Sequence, residues 1–189
     1  MIYETIITTQ SEQGQAHIAP MGIRRTDGIV TVAPFRPSRS LSNILREKCL
    51  IINFTDDVRV FAGCLTGRFN WPIEKASCIA GYRLANSLAH LEAELLRVEE
   101  DEVRPRLICK IVHQETHAIF PGFNRAQAAV IEGAVLISRL DRLPREKVET
   151  EIAYLSIAIN KTAGPREIEA WQWLLERVHD FYQRSCSDV

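Results

Sequence analysis

Apolar and polar positions keep two rhythms along this chain, a period of two in the first part and a helical period after residue 124. Residues 2–9 read as a strand, and residues 15–23 as a second one interrupted by Pro20, with the polar loop Gln10–Gly14 between them. Proline removes a ladder hydrogen bond, so the second strand is expected at an edge or bulge, where backbone groups become free to meet a ligand. Asp27-Gly28 predicts a hairpin turn into a strand over Ile29–Ala33, ended by Pro34. A short helix over 42–48 follows, with Ser40 or Ser42 as its cap. The apolar run Leu50–Phe54 predicts another strand, and Val58–Ala62 an extended segment before a loop over 63–73. Glu74–Leu88 reads as a helix through Ile79, Tyr82 and Leu84. Residues His90–Glu100 fit either period; the acidic cluster Glu99–Glu102, standing before the clear strand Leu107–His113, favours a hairpin.

The helical stripes come afterwards. Ala126, Val130, Ala134 and Ile137 form one, Val148, Ile152, Leu155 and Ile159 a second, and Ile168, Trp171, Leu175, Val178 and Tyr182 a third. Asn124 is a good N-cap, Pro144 suits a first helical turn and Gly164-Pro165 breaks the chain. The short connections predict antiparallel helices packed on the β part. Of the two tryptophans in the third stripe's helix, Trp171 belongs to the core and Trp173 to an interface. The expected division is a β domain over 1–122, with a helical insertion around 74–88, and a helical part over 123–184.

Composition narrows the function classes. At 189 residues and a net charge of −1, the chain lacks the basic excess that nucleic acid or an anionic membrane would call for. No apolar run approaches the ~20 residues of a membrane span, and no signal segment opens the chain. The five cysteines (Cys49, Cys64, Cys78, Cys109 and Cys186) are scattered without a C-x-x-C pair, which fits a reducing cytoplasm, and Cys109 reads as a buried small hydrophobe. Asp56-Asp57 and Glu99–Glu102 lack ligand spacing. His90, His113 and His117 lie far apart in sequence and read as structural or surface residues. No metal is expected.

Candidate chemistry concentrates between His17 and Asp57. From Arg36 to Ser42 the chain offers two guanidinium groups and three hydroxyls just where a helix begins. Free N–H groups and the helix dipole make such a start an anion site; a capped loop with solvated arginines has the same sequence. His17 is the one side chain nearby that changes charge near neutral pH.

In order, A-P-M-G, a strand ending P-F, S-R-S-L-S-N-I and I-I-N resemble the flavin-reductase type of FMN-binding split barrel. Those proteins carry N-x-x-P-x-S, then K-D-T-x-x-N-I, then a strand ending in Asn. The chain is still more similar to a family of FMN-binding split-barrel proteins, a domain of unknown function found in methanogenic archaea, methylotrophic bacteria and planctomycetes. There the loop at Pro34–Ser38, the strand end at Asn53–Asp57 and the helix start at Phe123–Ala126 recur together. The resemblance implies an α+β fold, a mainly antiparallel split β-barrel with a C-terminal helical subdomain. It further implies a homodimer with FMN at each end of the interface.

Carried over by position, the resemblance puts Ser40 where the reductases have a phosphate-binding Thr and Asn43 at their Asn. Ser38 replaces their Lys and Arg39 their Asp, so Arg36 or Arg39 is left to supply the positive charge. Gly22 replaces their Ser, while the backbone of Ala19, Pro20 and Met21 lines the ring edge. Asn53 matches the strand-ending Asn, and Thr55 and Asp56 are polar groups for the flavin edge or for an Asx turn. Phe123, Asn124 and Arg125 would close the site from the helical side, unless Asn124 only caps its helix. His17 is the candidate catalytic proton donor. The implied activity is a flavin-dependent oxidoreductase acting on a pterin-like or other small redox substrate, the pterin coming from the use of tetrahydromethanopterin by such organisms. A non-catalytic FMN-binding or assembly protein and a deazaflavin-dependent split barrel are the alternatives. No G-x-G-x-x-G names a dinucleotide donor.

Overall fold

The computed structural model describes residues 1–187, with side chains as far as residue 184. Cys186 lies outside the described side chains. In chain order the elements are β1 (Tyr3–Gln10), β2 (Ala16–Thr26), β3 (Ile29–Val32), α1 (Arg39–Glu47), β4 (Cys49–Phe54), α2 (Arg59–Leu65), β5 (Ile73–Lys75) and β6 (Tyr82–Leu84). They continue with β7 (Ala89–Glu99), β8 (Arg106–Thr116), α3 (Arg125–Ile137), α4 (Arg145–Thr162) and α5 (Pro165–Ser187). The fold is α+β and falls into two units, 1–56 with 70–120 and 57–69 with 121 onward.

In the first unit six strands close an antiparallel barrel in the order β1-β2-β3-β8-β7-β4. Alternate residues turn inward: Val30 and Val32 from β3, Leu91 and Ala93 from β7, Leu107 and Cys109 from β8. Leu41 and Ile44, one helical turn apart on α1, join this core. Each such aliphatic side chain taken from water contributes about 1.5–3 kcal/mol. Burial pushes the Cys109 thiol up to about 12, so it behaves as an inert hydrophobe.

Glu74–Leu88 is not helical. It forms the two-stranded sheet β5–β6, with an Arg83–Glu74 ion pair across it. Gly81, at φ +134, cannot continue a helix, and the N–H groups of Ser77, Cys78 and Ile79, which a helix would use internally, are bonded to the Glu92 carboxylate. Ser38, not Ser40 or Ser42, caps α1: its Oγ accepts from Leu41 N at 3.2 Å.

The second unit takes in α2, which replaces the extended segment expected over Val58–Ala62. Asp57 Oδ1 accepts from Arg59 N at 3.2 Å and the Asp57 carboxylate pairs with the Arg59 guanidinium at 2.7 Å, starting the helix locally. Arg59 also reaches Glu169 on α5 at 3.0 Å. Val58, Ala62, Val130, Trp171 and Leu174 share one core. A Cβ on Gly133 would stand 2.8 Å from Trp171 Cζ3, so the missing side chain is what lets α3 and α5 touch there. The buried face of α5 runs through Ala170, Trp171, Leu174 and Val178, while Ile168 and Leu175, expected inside, are 46% and 38% exposed. Trp173 is half-buried under the Arg68 guanidinium, 4.5 Å from its ring centroid. Among the described residues no helix is long and apolar enough to cross a membrane.

Candidate functional site

Two polar constellations stand on the barrel unit. The first is built where α1 begins. β3 pairs with β2 only from Ile23 to Thr26, so Ala19, Pro20, Met21 and Gly22 have β1 along one side and, among the described residues, no strand along the other. The expectation of an edge at Pro20 is met. All four residues are half-buried; Met21 O accepts from Thr5 Oγ1 at 2.8 Å, and a Cβ on Gly22 would stand 2.8 Å from Ile2 Cγ2, with the Glu4 carboxylate oxygens at 3.6 and 3.9 Å. A cleft of about 600 Å³ lies farther along, lined by Tyr3, Ile23, Arg25, Thr26, Asp27 and Phe54.

At the start of α1 the first N–H groups have no intrahelical partner, which leaves Arg39 N and Ser40 N for an anion. Ser38 Oγ is engaged as the cap. Arg39 is exposed and Ser40 buried. Arg36 is exposed too and pairs with Glu100 at 2.8 Å, a surface ion pair of the kind that is exchanged at little cost. Buried Asn43 donates to Thr9 Oγ1 at 3.0 Å and accepts from Arg46 at 3.2 Å, so it braces the helix on β1. Thr9 is the ladder partner of His17. Burial, and then the Arg39 charge, hold the His17 imidazole below its ordinary value. His17 and Arg39 are thus electrostatic neighbours.

The other expected contacts are differently placed. Asn53 is fully buried; it donates to Ile6 O (3.0 Å) and Thr8 Oγ1 (3.1 Å) and accepts from Leu84 N (2.7 Å), which leaves it no N–H for a flavin. Its work is to tie β4 to β1 and β6. Thr55 and Asp56 are half-buried in the turn after β4. Asn124 is on the helical unit and caps α3, accepting from Ala126 N (2.7 Å) and Gln127 N (3.3 Å) and donating to Thr162 O (3.0 Å). Its amide is committed to that cap.

The second constellation joins side chains that read as unrelated in the sequence. His90 and Glu92 on β7 face Glu115 and His113 on β8 in the ladder. His90 and Glu92 are both fully buried. Glu92 accepts from Ser77 N (2.6 Å), Cys78 N (2.7 Å) and Ile79 N (2.8 Å), and its Oε1 lies 3.1 Å from His90 Nε2. Burial alone would raise this carboxyl; the three backbone N–H groups and His90 outweigh it and hold Glu92 below its usual range. His90 Nδ1 is 2.9 Å from His117 Nε2, with the two rings stacked at 5.1 Å between centroids. Burial and the Arg83 charge, opposed by Glu115, lower the His117 value. The available signal was local: residues 90 and 92 share a face of β7, residues 113 and 115 a face of β8, and His117 follows directly after that strand.

Comparison with known proteins places this geometry in a family. The model described as protein of unknown function (DUF447), N-terminal domain, matches residues 3–118, and its C-terminal counterpart matches 124–176. The chain belongs to the DUF447 family. An FMN-bound DUF447 protein from Methanosarcina mazei shares 23% identity over 93% of this chain and 94% of its own, with a TM-score of 0.81. An FMN-binding protein from Thermus thermophilus, solved with 1-cyclohex-2-enone, gives 12% identity, 60% and 69% coverage and a TM-score of 0.52. Component B of a Bacillus cereus nitrilotriacetate monooxygenase gives 16% identity, 66% and 75% coverage and 0.51. The DUF447 chain thus has the fold of the flavin-reductase-like split barrels, with C-terminal helices added.

Proposed function

We propose that the barrel unit binds FMN and that the protein is a flavin-dependent oxidoreductase for a small planar acceptor of the pterin type. The observation that carries the reading is the junction of α1 with β2: N–H groups at Arg39 and Ser40 that have no intrahelical partner, cations at Arg36 and Arg39, and an edge at Ala19–Gly22 to which β3 does not pair. The FMN-bound Methanosarcina relative, of matching length, supports FMN over a deazaflavin as the occupant.

In this reading the phosphate is held by the α1 N-terminus, Arg39 and Arg36, the latter exchanging Glu100 for phosphate oxygens. His17 serves the phosphate end, because its charged neighbour is Arg39; a dianion set beside both would favour the imidazolium form, against which burial and then the Arg39 charge act. This role is favoured over that of proton donor. The backbone of Ala19–Gly22 orients the ring edge. Bound flavin supplies two-electron chemistry, and the protein supplies position and exclusion of water. A homodimer would enclose the cofactor, as the family resemblance implies.

The test compares FMN with riboflavin. At about 1.5 kcal/mol for each charge-assisted bond, Arg36→Ala/Arg39→Ala weakens FMN roughly a hundredfold and leaves riboflavin unchanged. Equal losses for both ligands overturn the phosphate assignment. The substrate class is read separately, by mixing the chemically reduced, FMN-loaded protein anaerobically with a dihydropterin and following flavin reoxidation. Indifference to every pterin tried refutes that part alone.

A further inference from the structure

We propose that His90, His113 and Glu115 form a binding site for one divalent first-row transition ion, of the Zn²⁺ type, on the outer side of the β7–β8 hairpin. One ligand atom from each lies within 4.8 Å of the other two. The residues come from facing positions of two paired strands: His90 is the ladder partner of Glu115, and His113 that of Glu92. A ladder holds such positions rigidly, as a site must be held before an ion arrives.

Three features separate this cluster from an ordinary hydrogen-bond network. His90 Nε2 is held by the buried Glu92 carboxylate at 3.1 Å, and Glu92 is itself fixed by three backbone N–H groups. This is the arrangement in which a carboxylate sets the tautomer of a metal-binding imidazole, and it leaves the Nδ1 lone pair for the ion. His113 Nε2 is closed off from solvent and has no hydrogen-bond partner, with Glu115 Oε2 3.7 Å away, beyond hydrogen-bonding range. A buried ring nitrogen without a partner calls for a water or an ion. Finally, Glu115 is half exposed, so the cluster has an entrance, whereas His90 and Glu92 have no exposure and form its floor.

Two imidazoles and one carboxylate suit a borderline ion such as Zn²⁺ better than Mg²⁺ or Ca²⁺, which prefer oxygen alone. Bonds of about 2.0–2.1 Å require the three groups to draw together by side-chain rotation, which the partly exposed His113 and Glu115 can make. His117 Nε2, 2.9 Å from His90 Nδ1, must give up that contact when the ion enters. It then stands beside the remaining coordination position.

The experiment uses the full-length protein as purified, stripped of metal with a chelator, its flavin content recorded. Titration with Zn²⁺ alone, and with Co²⁺ alone followed by visible absorption, is expected to show one ion per chain. The His113→Ala/Glu115→Gln variant is expected to bind at least about a hundredfold more weakly. Glu115→Gln alone removes one half-exposed carboxylate oxygen without disturbing the ladder and should weaken binding in the same direction. The proposal is overturned if wild type takes up no stoichiometric ion, if both variants bind as tightly as wild type, or if Co²⁺ shows a thiolate band that places it on the cysteines. None of these readouts depends on FMN, so failure here leaves the flavin reading untouched, and the reverse holds.

Discussion

Replacing Glu92 by Gln should destabilise the barrel unit by about 3 kcal/mol, even though volume and shape are conserved. The carboxylate now accepts four bonds, two on each oxygen: Ser77 N and His90 Nε2 on Oε1, Cys78 N and Ile79 N on Oε2. Glutamine offers a single oxygen. Its best placement keeps that oxygen on Cys78 and Ile79 and turns the NH₂ toward His90, which can change tautomer and accept. Ser77 N–H then faces another donor, and a buried donor without a partner costs about 1–3 kcal/mol. The two surviving bonds lose their charge assistance, about 1 kcal/mol each. Against this, the variant no longer buries an ionised group, which recovers part of the loss. For a chain of this size, 3 kcal/mol corresponds to a fall in Tm of about 6–12 °C. Urea unfolding followed by far-ultraviolet circular dichroism gives the free energy directly, provided the slope m is unchanged. A loss below about 1 kcal/mol would mean that the loop over residues 76–81 does not depend on this carboxylate, and the account of why it is not a helix would fail.

Two further outcomes follow from other residues. The folded-state value of His17 lies below the ordinary 6.5, so as pH falls through 6.5 the unfolded chain takes the proton first and stability declines until the folded value is passed. Above 6.5 the group contributes nothing; His117, lowered as well, adds to the same decline, so His17→Gln should lessen it without abolishing it, seen in urea midpoints on either side of that value, and an unchanged pH slope counts against the burial and Arg39 explanation. In the helical unit, Gly133→Ala places a methyl 2.8 Å from Trp171 Cζ3 and 3.1 Å from Leu174 Cδ1. Overpacking of about 1–3 kcal/mol should outweigh the helix propensity gained and appear as earlier unfolding by Trp fluorescence, whereas stabilisation would show that the α3–α5 contact yields freely.

Part of this architecture is legible from the pattern of apolar residues: β3 buries alternate residues, β4 buries the continuous run its sequence shows, α3 buries its whole stripe and α4 the two ends of its own. The failures have identifiable physical sources. α2 is seven residues long, too short for a stripe, and its start depends on Asp57 and Arg59. Residues 74–88 have helical spacing, but Glu92, well along the chain, takes the N–H groups a helix would need. On α5 the inward face is displaced because Trp171 packs on a glycine, which favours small Ala170 beside it and leaves Ile168 and Leu175 outside. At the candidate sites, the edge at Pro20 and the presence of a short helix after the Arg36 loop were readable because proline and turn residues act locally, but the helix begins earlier than its sequence suggests, at Arg39 under a Ser38 cap. Asn53 matched its motif yet has its amide committed within the barrel. The histidines were unreadable one by one, since only the β7–β8 register makes neighbours of residues 90 and 115.

The Ala19–Gly22 edge also bears on how the protein keeps its own company. An open strand flank is a template on which another chain can add itself, row by row, and repeated addition ends in insoluble fibres. At residue 20 that row lacks a donor, so an incoming strand would lose its grip part-way along. A small molecule needs no continuous row. The proline that weakens the flank for polymers leaves room there for the proposed ligand, so resistance to strand addition and access for a small molecule would be two results of one residue.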